Sequence, residues 1–118
     1  MKKVIFVALL LLGNISRLLA QDLDAILQQG EQYNNEGKYT EALDYLKSRE
    51  KYFENAEFAK YGIFLTSLGR IYIRLGLFSN AEKSLLKALS VLEDKISVDY
   101  AEVMNDLGTL YFQMGDFV

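Results

Sequence analysis

Residues 69–81 read Gly69-Arg70-Ile71-Tyr72-Ile73-Arg74-Leu75-Gly76-Leu77-Phe78-Ser79-Asn80-Ala81. The spacing inside them, Gly69-x-x-Tyr72-x-x-x-Gly76-x-Phe78, occurs upstream as Gly30-x-x-Tyr33-x-x-x-Gly37-x-Tyr39. It occurs downstream as Gly108-x-x-Tyr111-x-x-x-Gly115-x-Phe117. Both displacements are 39 residues. A fixed period of this size marks a stacked repeat, in which each unit buries its apolar face against the next. Such chains serve far more often as binding surfaces than as enzymes.

Working outward from the motif, the apolar residues follow helical spacing. Leu65, Leu68, Tyr72 and Leu75 share one face, and Ala81, Leu85, Ala88, Leu89, Leu92 and Ile96 make a second. Period-two alternation is absent, so the unit is a pair of helices rather than strands. Gly37, Gly76 and Gly115 stand where each first helix has to stop, and a glycine just past a helix end takes the left-handed conformation without a Cβ penalty. The aromatics two residues later (Tyr39, Phe78, Phe117) are expected to pack over the turn. Ser79-x-x-Glu82 has the form of a capping box, Asp99-x-x-Glu102 is a looser version, and Thr40 is a further N-cap candidate. Gly30, Gly69 and Gly108 lie inside the helical pattern, where glycine costs about 1 kcal/mol relative to alanine. Close helix–helix approach offsets that cost. The matched spacing suggests Gly30 facing Ala42 and Gly69 facing Ala81, with Tyr33 and Tyr72 beside the contacts. The fold class that follows is all-α, built of stacked antiparallel helix-turn-helix repeats.

These residues resemble the tetratricopeptide repeat family. The matches are Gly30, Tyr33, Gly37, Ala42 and Leu46 in the first unit. In the second they are Leu68, Gly69, Tyr72, Gly76, Ala81, Leu85 and Ala88, and in the third Leu107, Gly108, Tyr111 and Gly115. The resemblance implies a right-handed solenoid with repeat 1 at 23–56, repeat 2 at 62–95 and a partial repeat 3 at 101–118. The chain departs from the pattern in lacking the closing proline and in placing Arg49 where Ala88 stands one period later. Its period exceeds the family's ~34 residues by about five, which suggests lengthened helices around Phe58–Lys60 and Ile96–Val98. That resembles the long-repeat subclass of kinesin light chains and of bacterial exported proteins.

The first twenty residues read differently. Met1-Lys2-Lys3 is a charged start, Val4 to Leu12 is an unbroken apolar run, and Gly13, Asn14, Ser16 and Ala20 follow. The run falls short of the ~20 residues a bilayer span needs. Residues 1–20 are therefore expected to be a signal peptide and 21–118 the repeat region, with the mature chain exported to a bacterial periplasm or secreted and free of a membrane span. The whole chain carries net charge −3; without residues 1–20, which hold three bases and no acid, it is −6. An acidic domain repels phosphate backbones, which argues against a nucleic-acid partner. With no cysteine and no histidine, thiolate and imidazole chemistry are excluded. No catalytic motif, metal cluster or cofactor motif stands out. Glu93-Asp94 point in different directions on a helix, and the fifteen aromatics are mostly taken up by motif places.

In the family the first helices line a concave groove. The resemblance carries that role to Leu27, Glu31, Asn34 and Asn35; to Thr66, Arg70, Ile73 and Arg74; and to Asn105, Thr109, Phe112 and Gln113. Arg70 and Arg74 are four apart and share a helix face, a pair suited to a carboxylate or an acidic peptide. The competing expectation is that Arg70 only forms a surface salt bridge with Glu31, its counterpart one period earlier. Leu27 and Glu31 occupy the places where the family's clamp for C-terminal carboxylates has lysine and asparagine, so that binding mode is not expected. The third unit stops at Val118, where its second helix is due. Val103, Met104, Leu107, Leu110, Tyr111 and Met114 then await cover from further repeats downstream or from another chain. The functional expectation is a non-enzymatic scaffold binding a protein or peptide. The alternative is the sensory or recruiting portion of a larger bacterial signalling protein, ahead of a sensor kinase or a caspase-like peptidase.

Overall fold

The computed structural model describes residues 22–92 and 94–115. The expected signal peptide and the turn aromatic Phe117 lie outside these residues, as does Glu93. The described residues form six helices and no strand: α1 (22–35), α2 (Tyr39–Lys47), α3 (Glu50–Glu54), α4 (Phe58–Arg74), α5 (Phe78–Val91) and α6 (Val98–Met114). α4 begins at Phe58, so the expected extension at 58–60 is helical; of the one expected at 96–98 only Val98 is, as the first residue of α6.

The turn glycines take the expected conformation, with φ of +75° at Gly37, +73° at Gly76 and +76° at Gly115. At the first two the closure is complete. Lys38 N–H donates to Tyr33 O at 2.8 Å and Leu77 N–H to Tyr72 O at 2.9 Å, the six-to-one bond that a left-handed residue makes possible. This tight closure also explains why two expected caps are not caps. Lys38 and Leu77 become the N-caps, without side-chain hydrogen bonds, and α2 and α5 start on the aromatics Tyr39 and Phe78. Thr40 and Ser79 are already inside their helices. Before α6 the cap moves two residues upstream of Asp99: Ser97 Oγ accepts from Tyr100 N–H at 3.1 Å, and Ser97 donates to Asp94 O.

Each first helix approaches its second through glycine, against a different partner from the alanines that the spacing suggested. A Cβ on Gly30 would lie 2.8 Å from Leu46 Cδ2, and one on Gly69 would lie 2.6 Å from Leu85 Cδ2. The contacts sit one helical turn beyond Ala42 and Ala81 because the hairpin register brings the leucine level with the glycine. Gly62, absent from the motif, does the same work: its Cβ would meet Leu92 at 2.5 Å. The steps are equal and opposite, seven residues from Gly62 to Gly69 and seven back from Leu92 to Leu85. Ala42 and Ala81 are fully buried all the same. Leu92 ends the apolar face of α5, and Ile96, expected to continue it, lies beyond the helix and is 95% exposed.

The first hairpin breaks where Arg49 replaces alanine. Ala88 is fully buried in α5, a place that a guanidinium cannot take without losing its hydration. Arg49 turns outward instead. Its guanidinium stands 3.7 Å over the Tyr45 ring and donates to Tyr45 O, which Ser48 Oγ also bonds, each at 2.9 Å. Side chains thus claim the carbonyl that would accept Arg49 N–H in a continuing helix, and that N–H falls back to Leu46 O. The short α3 that follows is anchored by Phe53, fully buried and stacked on Phe64 with ring centroids 4.3 Å apart.

Candidate functional groove

Adjacent first helices run side by side with contacts between residues 36 apart. Lys60 pairs with Asp24, and Arg70 Nε donates to Asp106 Oδ2 at 2.7 Å. The repeat period is 39, so neighbouring first helices are slipped by three residues, about 4.5 Å along the axis. This slip decides which groups meet. Arg70 lies level with Asn34 and Asp106, not with its periodic counterpart Glu31, and the expected Glu31–Arg70 salt bridge is replaced by one to α6. A second contact joins Arg70 Nη2 to Glu102 Oε2 at 3.3 Å, one turn earlier on α6.

Burial pushes the Asp106 carboxyl above its ordinary value, and Arg70 only partly offsets this. Burial also works against the charge on Arg70, but Asp106 and Glu102 outweigh it and hold the guanidinium protonated. Two partly buried charges facing each other mainly set position; their attraction is largely spent against desolvation. Arg70 is thus committed to joining α4 to α6.

Asn34, Arg70, Ile73, Arg74, Asp106, Thr109 and Gln113 line one concavity of about 430 Å³ that crosses α1, α4 and α6. Of the expected site residues, it brings together Arg70, Ile73, Arg74 and Thr109, along with the groove-facing Asn34 and Gln113. Arg74 is exposed and has no ion pair among the described residues. The Asn34 carboxamide oxygen is buried and has no hydrogen-bond partner among them. A buried acceptor left in this state costs free energy unless a donor reaches it. Of the two guanidiniums in the lining, Arg70 is matched by Asp106 and Glu102, which leaves Arg74 as the cation without an ion pair among the described residues.

The remaining expected residues lie elsewhere. Thr66 is buried, donates to Gly62 O at 2.8 Å, and borders a separate hollow of about 20 Å³. Asn105 and Phe112 are exposed on α6 outside the concavity, and Asn105 O accepts from Thr109 Oγ1 at 3.2 Å. Leu27 packs partly against the core, and Glu31 and Asn35 are exposed away from the hollow. Asp106 was missed. The available signal was an acid on the buried stripe of α6, among Val103, Leu107 and Leu110, where a carboxylate needs a partner.

Among the described residues no group of three or more acidic, histidine or cysteine side chains could hold a metal ion. No described helix is long and apolar enough to cross a membrane. No curated protein and no solved structure matches the chain. Residues 64–91, which take in most of α4 and all of α5, match the family model of the tetratricopeptide repeat.

Proposed function

We propose that this protein is a non-enzymatic scaffold whose first helices bind an extended protein or peptide segment bearing an acidic group. The observation that carries the reading is a pair of groups in the concavity that are unsatisfied among the described residues: the Arg74 guanidinium, without an ion pair, and the Asn34 carboxamide oxygen, without a donor. A peptide supplies both complements, a carboxylate for the guanidinium fork and a backbone N–H for the oxygen. Thr109 and Gln113 offer further hydrogen bonds, and Ile73 gives an apolar floor. Arg70 holds the groove together, and Arg74 is the residue that meets the ligand. The same reading places the helices in a right-handed solenoid of the long-repeat subclass, supported by the 39-residue period. It also places the mature chain outside the bacterial cytoplasm after removal of residues 1–20, which N-terminal sequencing of the exported protein tests.

Capture from an immobilised library of acidic and matched neutral peptides tests the groove. Arg74→Glu is expected to abolish capture of the acidic set and leave the thermal midpoint within about a degree, because an exposed side chain without a partner contributes little to stability. Arg70→Glu is expected to lower the midpoint, since it sets a second carboxylate against Asp106. Unchanged capture by Arg74→Glu would reject the groove as the binding site.

A further inference from the structure

The concavity holds a carboxylate of its own. Asp106 lines it together with Arg70 and Arg74. Its side chain is only 12% exposed and accepts from Arg70 Nε at 2.7 Å. Arg70 Nη2 donates to Glu102 at 3.3 Å, but Glu102 is half-exposed, and a contact screened by water contributes little. Both acids use one edge of the guanidinium, which has five N–H donors in all. Arg70 Nη1 has no hydrogen bond among the described residues. The group is therefore matched in charge and still open in geometry. One turn along α4, about 6 Å away, Arg74 has no ion pair among the described residues.

We propose that Asp106 sets how many acidic groups the groove accepts. Ionised, it cancels the charge of Arg70 and leaves Arg74 to hold a single acid. Neutral, it releases Arg70 to the ligand as well, and the groove takes an extended segment with two acids in the order acid-x-acid. This inference rests on the reading of the concavity as a peptide groove. Spacing selects the order: side chains two apart in an extended chain share one side at about 6.5 Å, close to the step between the two arginines along α4. Adjacent acids would point to opposite sides. Asp106 touches no ligand and acts through Arg70.

Protonation is what neutralises Asp106. Burial lifts its carboxyl above the ordinary carboxylate range, Arg70 opposes this and Glu102 adds to it. Among the described residues no charged group of α5, the other helix packed on α6, acts on it. An exposed ligand carboxylate titrates in the ordinary range, so mildly acidic pH leaves the ligand charged while Asp106 is neutral. The fold survives the change. A carboxyl raised by folding binds its proton more tightly in the folded chain, so its contribution to stability grows as pH falls and is lost as pH rises.

Fluorescence anisotropy of the full 118-residue chain with two pools of otherwise neutral random peptides tests this. One pool carries a single cysteic acid, the other cysteic acid-x-cysteic acid. A sulfonate stays ionised throughout, so any change with pH comes from the protein. The readout is the ratio of the two affinities, in salt high enough to screen the rest of the surface. From about pH 7.5 to about pH 4.5, a span that brackets a raised carboxyl, the preference for the double acid is expected to rise about tenfold, the low end for a hydrogen bond to a charged group. Asp106→Asn keeps an acceptor for Arg70 Nε and is expected to show the raised preference at both pH values. Arg70→Gln is expected to lose the rise, and serves if Asp106→Asn does not fold. A wild-type ratio equal at both pH values, with single-acid peptides still bound, would overturn this inference and leave the groove standing. A rise that Asp106→Asn reproduces in full would overturn it too, since another carboxyl would then be responsible. Binding of neither pool at either pH would overturn the groove reading and this inference with it.

Discussion

Gly69→Leu is expected to lower the stability of the chain by about 3 kcal/mol or more, the upper end of what overpacking a core costs. The first added atom alone would stand 2.6 Å from Leu85 Cδ2 and Cγ. Leu85 is fully buried and has no room to retreat, so α4 and α5 have to separate. Leucine's better helix propensity returns only about 1 kcal/mol of this. For a domain of this size, the thermal midpoint is expected to drop by roughly 10 °C or more, read by circular dichroism at 222 nm. The hairpin register fails if the midpoint holds. Gly108→Leu makes a sharp internal comparison, because the same substitution at the same motif place meets no atom of the described residues.

Phe64→Ala is expected to cost about 3–5 kcal/mol, a large share of the ~5–15 kcal/mol that typically separates folded from unfolded chains. Phe64 is fully buried and stacks on Phe53 at an interplanar angle of 17°. The Phe53 ring is what ties the short α3 to α4, so removing its platform empties the junction between the first and second hairpins. α3 has five residues, too few to hold a helix in water without tertiary contacts. It is expected to unfold first, giving earlier amide exchange at residues 50–54 than in α5. Urea denaturation measures the whole effect; a midpoint shift equivalent to less than ~1 kcal/mol would mean the stack is not a keystone of the core.

How far the chain could be read ahead of its structure depended on the range of each interaction. The stops at Gly37, Gly76 and Gly115 were legible because a left-handed turn is a local demand that glycine meets best. Burial of Leu65, Leu68 and Tyr72 was legible because helical periodicity names a face. Helix starts were less so: Thr40, Ser79 and Asp99 carry good capping chemistry, but closing the preceding helix on Gly37 and Gly76 used the neighbouring amides first. The early end of α2 depended on Ser48 and Arg49 competing for one carbonyl, which the motif alone does not reveal.

The groove was legible as a set of helix faces and illegible as a set of partners. Repeat arithmetic put Arg70 opposite Glu31, while the three-residue slip between neighbouring first helices put it opposite Asn34 and Asp106. Residue spacing alone was enough for the repeated helical pairs, their turns and the buried stripes, since all of these follow from spacings within one or two turns of a helix. It took packing between segments to show that Leu46 and Leu85 roof Gly30 and Gly69, and that Arg70 pairs with Asp106 and Glu102 while Arg74 has no ion pair among the described residues. Those outcomes depend on how far one helix slides along another, a quantity set by side-chain packing between segments and by no period within them.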